Sequence, residues 1–258
     1  SISKIAKKAK LPLIVDNTVA TTYLLKPMDY GADIVIHSTT KYITGNGTSI
    51  GGIIIDAGKF DWSSGLFNEF TEPSAGYHGL VYHDALGPAA FIAKVRIEGL
   101  RDLGSAPSPF NCFQTIQGLE TLSVRIKKHS ENALKVARWL ETQDEVAWVN
   151  YPGLKSSKYY DLSKKYLKGG QSGIVTFGLK GGFESAKKLT DSTKIFSLLA
   201  NFGDSKSLII HPSSTTHQQL NEDQQKSTGV TSDLVRLSIG LEDPNDLIND
   251  LKEAIKSI

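Results

Sequence analysis

A carboxylate, two hydroxyl side chains and a lysine follow two short apolar runs in this chain of 258 residues. Asp16 comes directly after the apolar residues 13–15, while Ser38, Thr40 and Lys41 follow the apolar residues 34–36. A lysine amine can form a Schiff base with an aldehyde. Hydroxyl groups three residues and one residue before that lysine can bind a phosphate, and a carboxylate can hold a pyridine nitrogen protonated.

These demands are those of pyridoxal 5′-phosphate, whose usual protein partners are a lysine and an acidic or basic residue at the ring nitrogen. A pattern this short also fits a simpler interpretation, in which Asp16 caps a helix and Lys41 is an exposed loop lysine. The residues alone leave both interpretations open.

The elements that must position these side chains indicate an α/β sheet. Three short runs, residues 13–15, 34–36 and 53–55, are apolar at every position, which is typical of parallel strands covered on both faces. They alternate with helical segments, so we expect a largely parallel sheet. Ligands of open α/β sheets lie beyond the carboxyl ends of the strands, where Asp16 and residues 38–41 are placed.

The hydrophobic period changes in the second half of the chain. Residues 111–141 predict one long helix, with a stripe made of Ile116, Leu119, Leu122, Ile126, Ala133, Ala137 and Leu140. Strands are predicted at 173–180, 207–210 and 235–239, and a last helix after Asp243-Pro244. We therefore predict two domains, 1–110 and 111–258, the second a smaller α+β domain.

Composition excludes several classes of protein. The formal net charge is only +2, so no bulk charge favours nucleic-acid binding. The apolar runs are far too short to cross a membrane. Cys112 is the single cysteine, which indicates a reducing, cytoplasmic location and a small residue buried at the start of the long helix. The histidine spacings fit no metal site, and we expect no metal.

Residues 15–18 and 37–42, with Gly45 and Gly51-Gly52, resemble the cofactor site of the Cys/Met-metabolism family of pyridoxal-phosphate enzymes. Within that family the resemblance is greatest to the O-acetylhomoserine sulfhydrylases, over residues 71–79, 99–104, 108–111, 201–205 and 210–217. The resemblance runs to the end of the chain. It covers only the later part of the family's length, and residues 1–10 read as a helix already under way, so we expect an upstream portion to be missing.

The resemblance implies a pyridoxal-phosphate fold of type I, like that of aspartate aminotransferase, with a partial large domain and a smaller α+β domain. It implies that Lys41 bonds to the cofactor, that Asp16 pairs with the ring nitrogen, and that Ser38 and Thr40 bind the phosphate. Arg236 falls where the family binds the substrate carboxylate, and Asn201 falls close to that position. Arginine suits this task because its planar fork binds a carboxylate with two parallel hydrogen bonds.

The implied reaction is a γ-replacement that converts O-acetylhomoserine and sulfide to homocysteine and acetate. Cystathionine γ-synthase and the methionine or cystathionine γ-lyases of the same family are alternatives. An inactive fragment or paralogue with a scaffold or regulatory role is an alternative of another class. The implied partners are these small molecules, further copies of the chain in a tetramer built from dimers, and a sulfur-carrier protein as a source of sulfide.

Overall fold

The computed structural model describes residues 2–258, and the prediction that Ser1 stands within a helix lies outside the described residues. The chain divides into two compact units. Unit 1 comprises residues 2–18, Lys26–Thr39 and Ile50–Gln114, and unit 2 comprises Val19–Leu25, Thr40–Ser49 and residues from Thr115 onward. The predicted domain limits, 1–110 and 111–258, stay a prediction.

Unit 1 contains a three-stranded sheet in the order β1-β2-β3. Its strands are β1 (Ile14–Asp16), β2 (Ile34–Ser38) and β3 (Gly52–Asp56). β1 and β2 are parallel, with Asp16 opposite Ile36, whereas β2 and β3 are antiparallel. The expectation of a largely parallel sheet is therefore confirmed for β1 and β2 and wrong for β3, because a run apolar at every position does not encode strand direction.

The helices of unit 1 are short: α1 (Ile2–Lys8), α3 (Asn68–Thr71), α4 (Tyr82–Leu86) and α5 (Ala90–Lys94), the last continuing into wider turns over Val95–Asp102. Its core is built around Trp62, which stacks on Phe91 and contacts Phe70. The described residues bury Ile34 and Val35 of β2, but the side chains of Ile14 in β1 and Ile53 in β3 stay 52% and 45% exposed. The expectation that every strand is covered on both faces is wrong within the described chain.

Unit 2 contains a five-stranded mixed sheet in the order β4-β5-β8-β7-β6. The strands are β4 (Val146–Asn150), β5 (Ile174–Leu179), β6 (Ser197–Leu198), β7 (Leu208–Ile210) and β8 (Leu234–Ser238). Only β6 and β7 pair in parallel among these strands. The predicted strands at 173–180, 207–210 and 235–239 correspond to β5, β7 and β8, while β4 and β6 were not predicted.

The helices of unit 2 are α2 (Thr21–Leu24), α7 (Tyr160–Tyr166), α8 (Gly182–Ser192), α9 (Glu222–Ser227), α10 (Pro244–Ile255) and most of α6 (Pro109–Leu140). The largest hydrophobic core lies in this unit, where the C-terminal half of α6, α8 and α10 pack with β5 and β8. α10 begins as its sequence predicts, since the Asp243 side chain accepts a hydrogen bond from the Asn245 amide and Pro244 takes the first helical position.

The long helix is confirmed, but its predicted apolar stripe is only partly buried. Leu122 and Leu140 are buried, whereas Ile116 and Leu119 are 56% and 47% exposed. Cys112 is exposed as well, so the expectation of a buried thiol is wrong. No helix within residues 2–258 is long and apolar enough to cross a membrane.

Candidate active site

Lys41 lies in an irregular turn that begins where β2 ends. Residues Thr39–Ile43 form wide helical turns that are broken at Lys41, whose backbone leaves helical geometry (φ −89°, ψ −129°). The Gly45 amide donates to the Lys41 carbonyl over 2.9 Å, which closes the segment after the break. A strand that ends in such a turn presents one side chain at the rim of the sheet, where ligands of α/β proteins bind.

The amine of Lys41 is held within unit 2 by two neighbouring residues. Its Nζ donates a hydrogen bond to the side-chain carbonyl of Asn201 and lies 4.8 Å from the centroid of the Phe202 ring. Gly203, at φ +78°, brings this loop so near that a Cβ there would lie 2.7 Å from the Tyr42 nitrogen. Burial lowers the pKa of Lys41, and the charge of Arg236 lowers it further. A lysine of lowered pKa is the form that serves as a nucleophile or base.

Arg236 reaches the same residue from β8. Its Nη2 donates to the backbone carbonyl of Asn201 over 3.1 Å, and burial lowers the pKa of its guanidinium. Val235 and Leu237 on either side of it are fully buried, whereas Arg236 is half-buried. Asn201 thus contacts Lys41 through its side chain and Arg236 through its backbone, and these three predicted site residues come together.

Asp16 occupies the carboxyl end of β1 in unit 1, where Thr18 fixes it. The Thr18 amide donates to Asp16 Oδ1 over 2.9 Å, and the Ser38 amide donates to the Thr18 hydroxyl over 2.8 Å. A hydrogen bond from the Thr18 side chain, followed by the bond from its amide, lowers the pKa of Asp16. Asp16 therefore remains an ionised carboxylate, which is the form that holds a pyridine nitrogen protonated.

His37 lies on β2, where its imidazole interacts electrostatically with the Asp16 carboxylate but forms no hydrogen bond with it. Burial lowers the pKa of its imidazole, and the charge of Asp16 opposes that shift. The side chain is buried, and neither ring nitrogen has a hydrogen-bond partner within residues 2–258. Ser38 and Thr40, the two predicted phosphate ligands, are both half-buried, Ser38 at the end of β2 and Thr40 in the turn before Lys41.

The donor set fits pyridoxal 5′-phosphate. An amine of lowered pKa suits a bond to its aldehyde, a carboxylate of lowered pKa suits its ring nitrogen, and two hydroxyls near a strand end suit its phosphate. Within residues 2–258 no cluster of three metal-ligating side chains occurs. The predicted roles of Lys41, Asp16, Ser38, Thr40, Arg236 and Asn201 remain predictions at this point.

Sequence reasoning missed two residues of these clusters. Thr18 could have been found, because a hydroxyl residue two positions after an aspartate often closes a local turn onto it. Phe202 carries no such signal, because the sequence does not show which residues an aromatic side chain in a loop contacts in the folded chain. The amine over its face is attracted by the ring quadrupole.

An amine and a carboxylate of lowered pKa that follow strands of a mixed α/β fold are the kinds of side chain that pyridoxal-phosphate enzymes use. Residues 1–256 match the family model of the Cys/Met metabolism PLP-dependent enzymes. The chain belongs to this family, and the predicted family and cofactor are confirmed.

Individual relatives agree with this result. The chain is 54% identical to an O-acetyl-L-homoserine sulfhydrylase of Leptospira meyeri, with 100% of this chain and 60% of the relative aligned. It is 48% identical to O-acetyl-L-homoserine sulfhydrylase 1 of Thermus thermophilus, over 99% of this chain and 61% of the relative. The chain thus spans about 60% of the length of these relatives.

A solved structure gives the same answer for the fold. A Campylobacter jejuni protein assigned as an O-acetylhomoserine (thiol)-lyase superposes with a TM-score of 0.95 at 46% identity, over 99% of this chain and 61% of that one. That crystal structure carries an N′-pyridoxyl-lysine-5′-monophosphate. The predicted pyridoxal-phosphate fold of type I is therefore confirmed.

Proposed function

We propose that the protein catalyses a γ-replacement in which O-acetylhomoserine and sulfide become homocysteine and acetate. The observation that carries the proposal is the arrangement at Asn201, which joins an amine of lowered pKa to a half-buried guanidinium. An amino-acid substrate needs both groups, the first to move protons at its carbon atoms and the second to bind its carboxylate. Support for this particular reaction comes from relatives named O-acetyl-L-homoserine sulfhydrylase and homocysteine synthase.

The proposed roles follow from the chemistry of each side chain. When bound, the cofactor supplies an electron-withdrawing ring that stabilises negative charge on the carbon next to the substrate amine. Asp16 holds the ring nitrogen protonated because its own pKa is lowered. Ser38 and Thr40 donate hydrogen bonds to the phosphate, and Arg236 binds the substrate carboxylate.

Lys41 performs the proton transfers. A lowered pKa leaves more of its Nζ neutral near pH 7 than an exposed lysine would have, so it can accept the α-proton of the substrate. Nζ must give up that proton before it accepts a second one from the β-carbon. Loss of the β-proton allows acetate to leave from the γ-carbon; the hydrosulfide ion adds at that carbon, and the β- and α-carbons each regain a proton to give homocysteine. Asn201 accepts a hydrogen bond from Nζ, which keeps the protonated amine near the reacting atoms.

Acetate release from O-acetylhomoserine tests the proposal, measured with sulfide and separately with cysteine as the nucleophile. We expect homocysteine and acetate in equal amounts with sulfide, no product with cysteine, and no turnover in Lys41→Ala. Lys127→Ala, an exposed lysine of α6, is the matched control and should keep full activity.

Other outcomes would redirect the assignment. Cystathionine formed with cysteine would identify a cystathionine γ-synthase, and 2-oxobutyrate formed without a nucleophile would identify a γ-lyase. A purified protein without visible absorbance, and with no mass added to the Lys41 peptide by borohydride, would favour the scaffold or regulatory role.

We propose further that copies of the protein assemble into a tetramer built from dimers, and that it works in the cytoplasm. The resemblance to the family supports the assembly, and a single exposed cysteine supports a reducing compartment. Sulfide would come as the free ion or from a sulfur-carrier protein. Light scattering of the purified protein tests the tetramer, and a dimer or monomer at working concentration would contradict it.

A further inference from the structure

Arg125 is a buried cation in the middle of α6, only 9% exposed. No carboxylate pairs with it within the part of the chain that the structure describes. Burying an uncompensated charge is costly, so such a group needs other hydrogen-bond acceptors. Burial alone is the cause that lowers the pKa of this guanidinium.

Two of the acceptors of Arg125 are the carbonyl groups of the two residues that follow Lys41. Its Nη1 donates to the Tyr42 carbonyl over 2.7 Å, and its Nη2 donates to the Ile43 carbonyl over 3.0 Å. Within its own helix, Nη2 also donates to the Gly118 carbonyl over 2.7 Å, and Nε donates to the Thr121 hydroxyl over 3.1 Å. The planar guanidinium thus joins two successive turns of α6 to the two residues after Lys41.

These carbonyl groups need such a partner because the turn is irregular. The break in helical geometry at Lys41 leaves the carbonyls beyond it outside a regular helical ladder, and a buried carbonyl without a donor destabilises the fold. A guanidinium has five N–H donors in a fixed planar arrangement, so it can hold both carbonyls in place and fix their orientation relative to each other. A lysine at the same place would supply a point charge without this geometry.

Two glycines make room for the contact. A Cβ at Gly118 would lie 2.6 Å from the Thr44 carbonyl oxygen, so α6 approaches the turn backbone to backbone. A Cβ at Gly45 would lie 2.6 Å from the guanidinium carbon of Arg125. The hydroxyls of Thr44 and Thr115 also meet, at 3.4 Å. α6 therefore contacts the segment 42–45 at several consecutive points.

We propose that Arg125 is a positioning residue for Lys41, whose side chain it aims by fixing the carbonyls of Tyr42 and Ile43. The consequence for chemistry rests on the proposed function, in which Lys41 bonds to the cofactor and moves protons. The structural part stands without it, since the Arg125 contacts concern this chain's own backbone.

The first arm of the test needs no cofactor. Hydrogen exchange of the Gly45 amide, which donates to the Lys41 carbonyl, reports whether the turn stays closed. We expect faster exchange at Gly45 in Arg125→Lys while amides in β5 and β8 keep their rates. Arg138→Lys, an exposed arginine of the same helix, is the matched control and should leave both unchanged.

The second arm uses the protein carrying its cofactor. Pyridoxal phosphate is added, and the rate of its covalent bonding to Lys41 is followed by visible absorbance and by borohydride trapping on the Lys41 peptide. Because misplacement by about 1 Å costs on the order of 100-fold in rate, Arg125→Lys should slow this bonding by about that factor. The affinity of Arg125→Lys for inorganic phosphate alone should equal that of the parent protein. The pH dependence of its bonding rate, in the range where Lys41 is mostly protonated, should also match the parent.

Thr121 supplies a gentler variant where Arg125→Lys fails to fold. Thr121 is exposed and accepts from Nε, so Thr121→Ala loosens the guanidinium without removing it, and Thr121→Ser restores the acceptor. We expect Thr121→Ala to speed Gly45 exchange and slow bonding, and Thr121→Ser to recover both. Unchanged Gly45 exchange in Arg125→Lys, or in Thr121→Ala if the former does not fold, would overturn the proposal. Absence of any cofactor bonding in the parent protein would instead refute the proposed function.

Discussion

The backbone amide of Ser38 donates a hydrogen bond to the hydroxyl of Thr18 over 2.8 Å, and the same threonine donates through its own amide to Asp16 over 2.9 Å. Thr18 therefore ties the end of β2 to the carboxylate at the end of β1. The Thr18 hydroxyl is the largest cause of the lowered pKa of Asp16, and the bond from the Thr18 amide is the second.

Thr18→Val should raise the pKa of Asp16, since valine has the same shape without the hydroxyl. The carboxylate then protonates at a higher pH as acid is added, and the ring nitrogen loses its partner there. A ¹³C NMR titration of the Asp16 carboxyl measures the shift, and visible absorbance against pH measures its effect on the bound cofactor. Thr18→Ser should restore the parent curve; a valine variant that titrates like the parent would contradict the role.

Arg236→Gln should affect both the substrate and Lys41. Loss of a hydrogen-bonded charge costs about 1.5–3 kcal/mol, so KM for O-acetylhomoserine should rise by roughly 10–100-fold. The pKa of Lys41 should rise, because the charge of Arg236 is the second cause that lowers it. Trapping of Lys41 by an aldehyde and borohydride, followed across pH, should then need a higher pH. Arg138→Gln is the control, and an unshifted trapping curve would show that Arg236 does not act on Lys41.

His129 should make the fold less stable in mild acid. Burial lowers its pKa from 6.5 to about 4, so the unfolded chain binds more protons than the native protein between these values. Stability is therefore fully present above pH 6.5 and falls as the pH drops toward 4, by about 3 kcal/mol from this residue. Chemical denaturation at pH 7 and pH 4.5 measures the loss.

The histidine variant isolates this contribution. His129→Gln keeps a donor for the Ile239 carbonyl, which His129 Nδ1 meets at 2.6 Å, but it has no proton to gain. Its stability should fall less between the two pH values than that of the parent protein. His217→Gln, a partly exposed histidine of the same unit, should leave the parent's pH dependence intact.

Asp250→Asn should destabilise unit 2 by roughly 2–3 kcal/mol. The buried Asp250 carboxylate accepts from the amides of Lys194, Ile195 and Phe196, and asparagine turns one acceptor into a donor that faces them. At about 2–4 °C per kcal/mol, the melting temperature should drop by roughly 5–10 °C. Asp191→Asn, at an exposed residue of α8, is the control, and an equal drop there would mean that general charge loss, not these bonds, is responsible.

Some of this structure could be predicted from the sequence for definite physical reasons. The long helix and α10 have strong periodicity and, in α10, a cap, so local chemistry determines them. The strand that carries Arg236 could be predicted from its apolar residues, whereas the role of Arg236 came only from the resemblance. β4 was missed because its burial is irregular, and the antiparallel β3 was misjudged because pairing direction depends on distant residues.

The candidate site divides in the same way. Lys41 and Asp16 could be picked out because strand ends concentrate chemistry and because the resemblance named them. Phe202 and Arg125 could not be picked out, because their roles depend on contacts between residues far apart in the sequence. Phe202 is 161 residues from Lys41, and Arg125 is 83 residues from Tyr42. Cys112 was expected to be buried and is exposed, because residue type predicts the average burial of cysteines and not the burial of one particular cysteine.

Gly118 also restricts how this sequence can change over evolutionary time. A glycine inside a helix costs about 1 kcal/mol relative to alanine, so helix formation alone favours its replacement. The Thr44 carbonyl, 2.6 Å from where a methyl group would stand, opposes every such replacement. In a library of random variants, codon 118 should therefore be among the least tolerant in α6, and the exposed lysine codon at 127 among the most permissive.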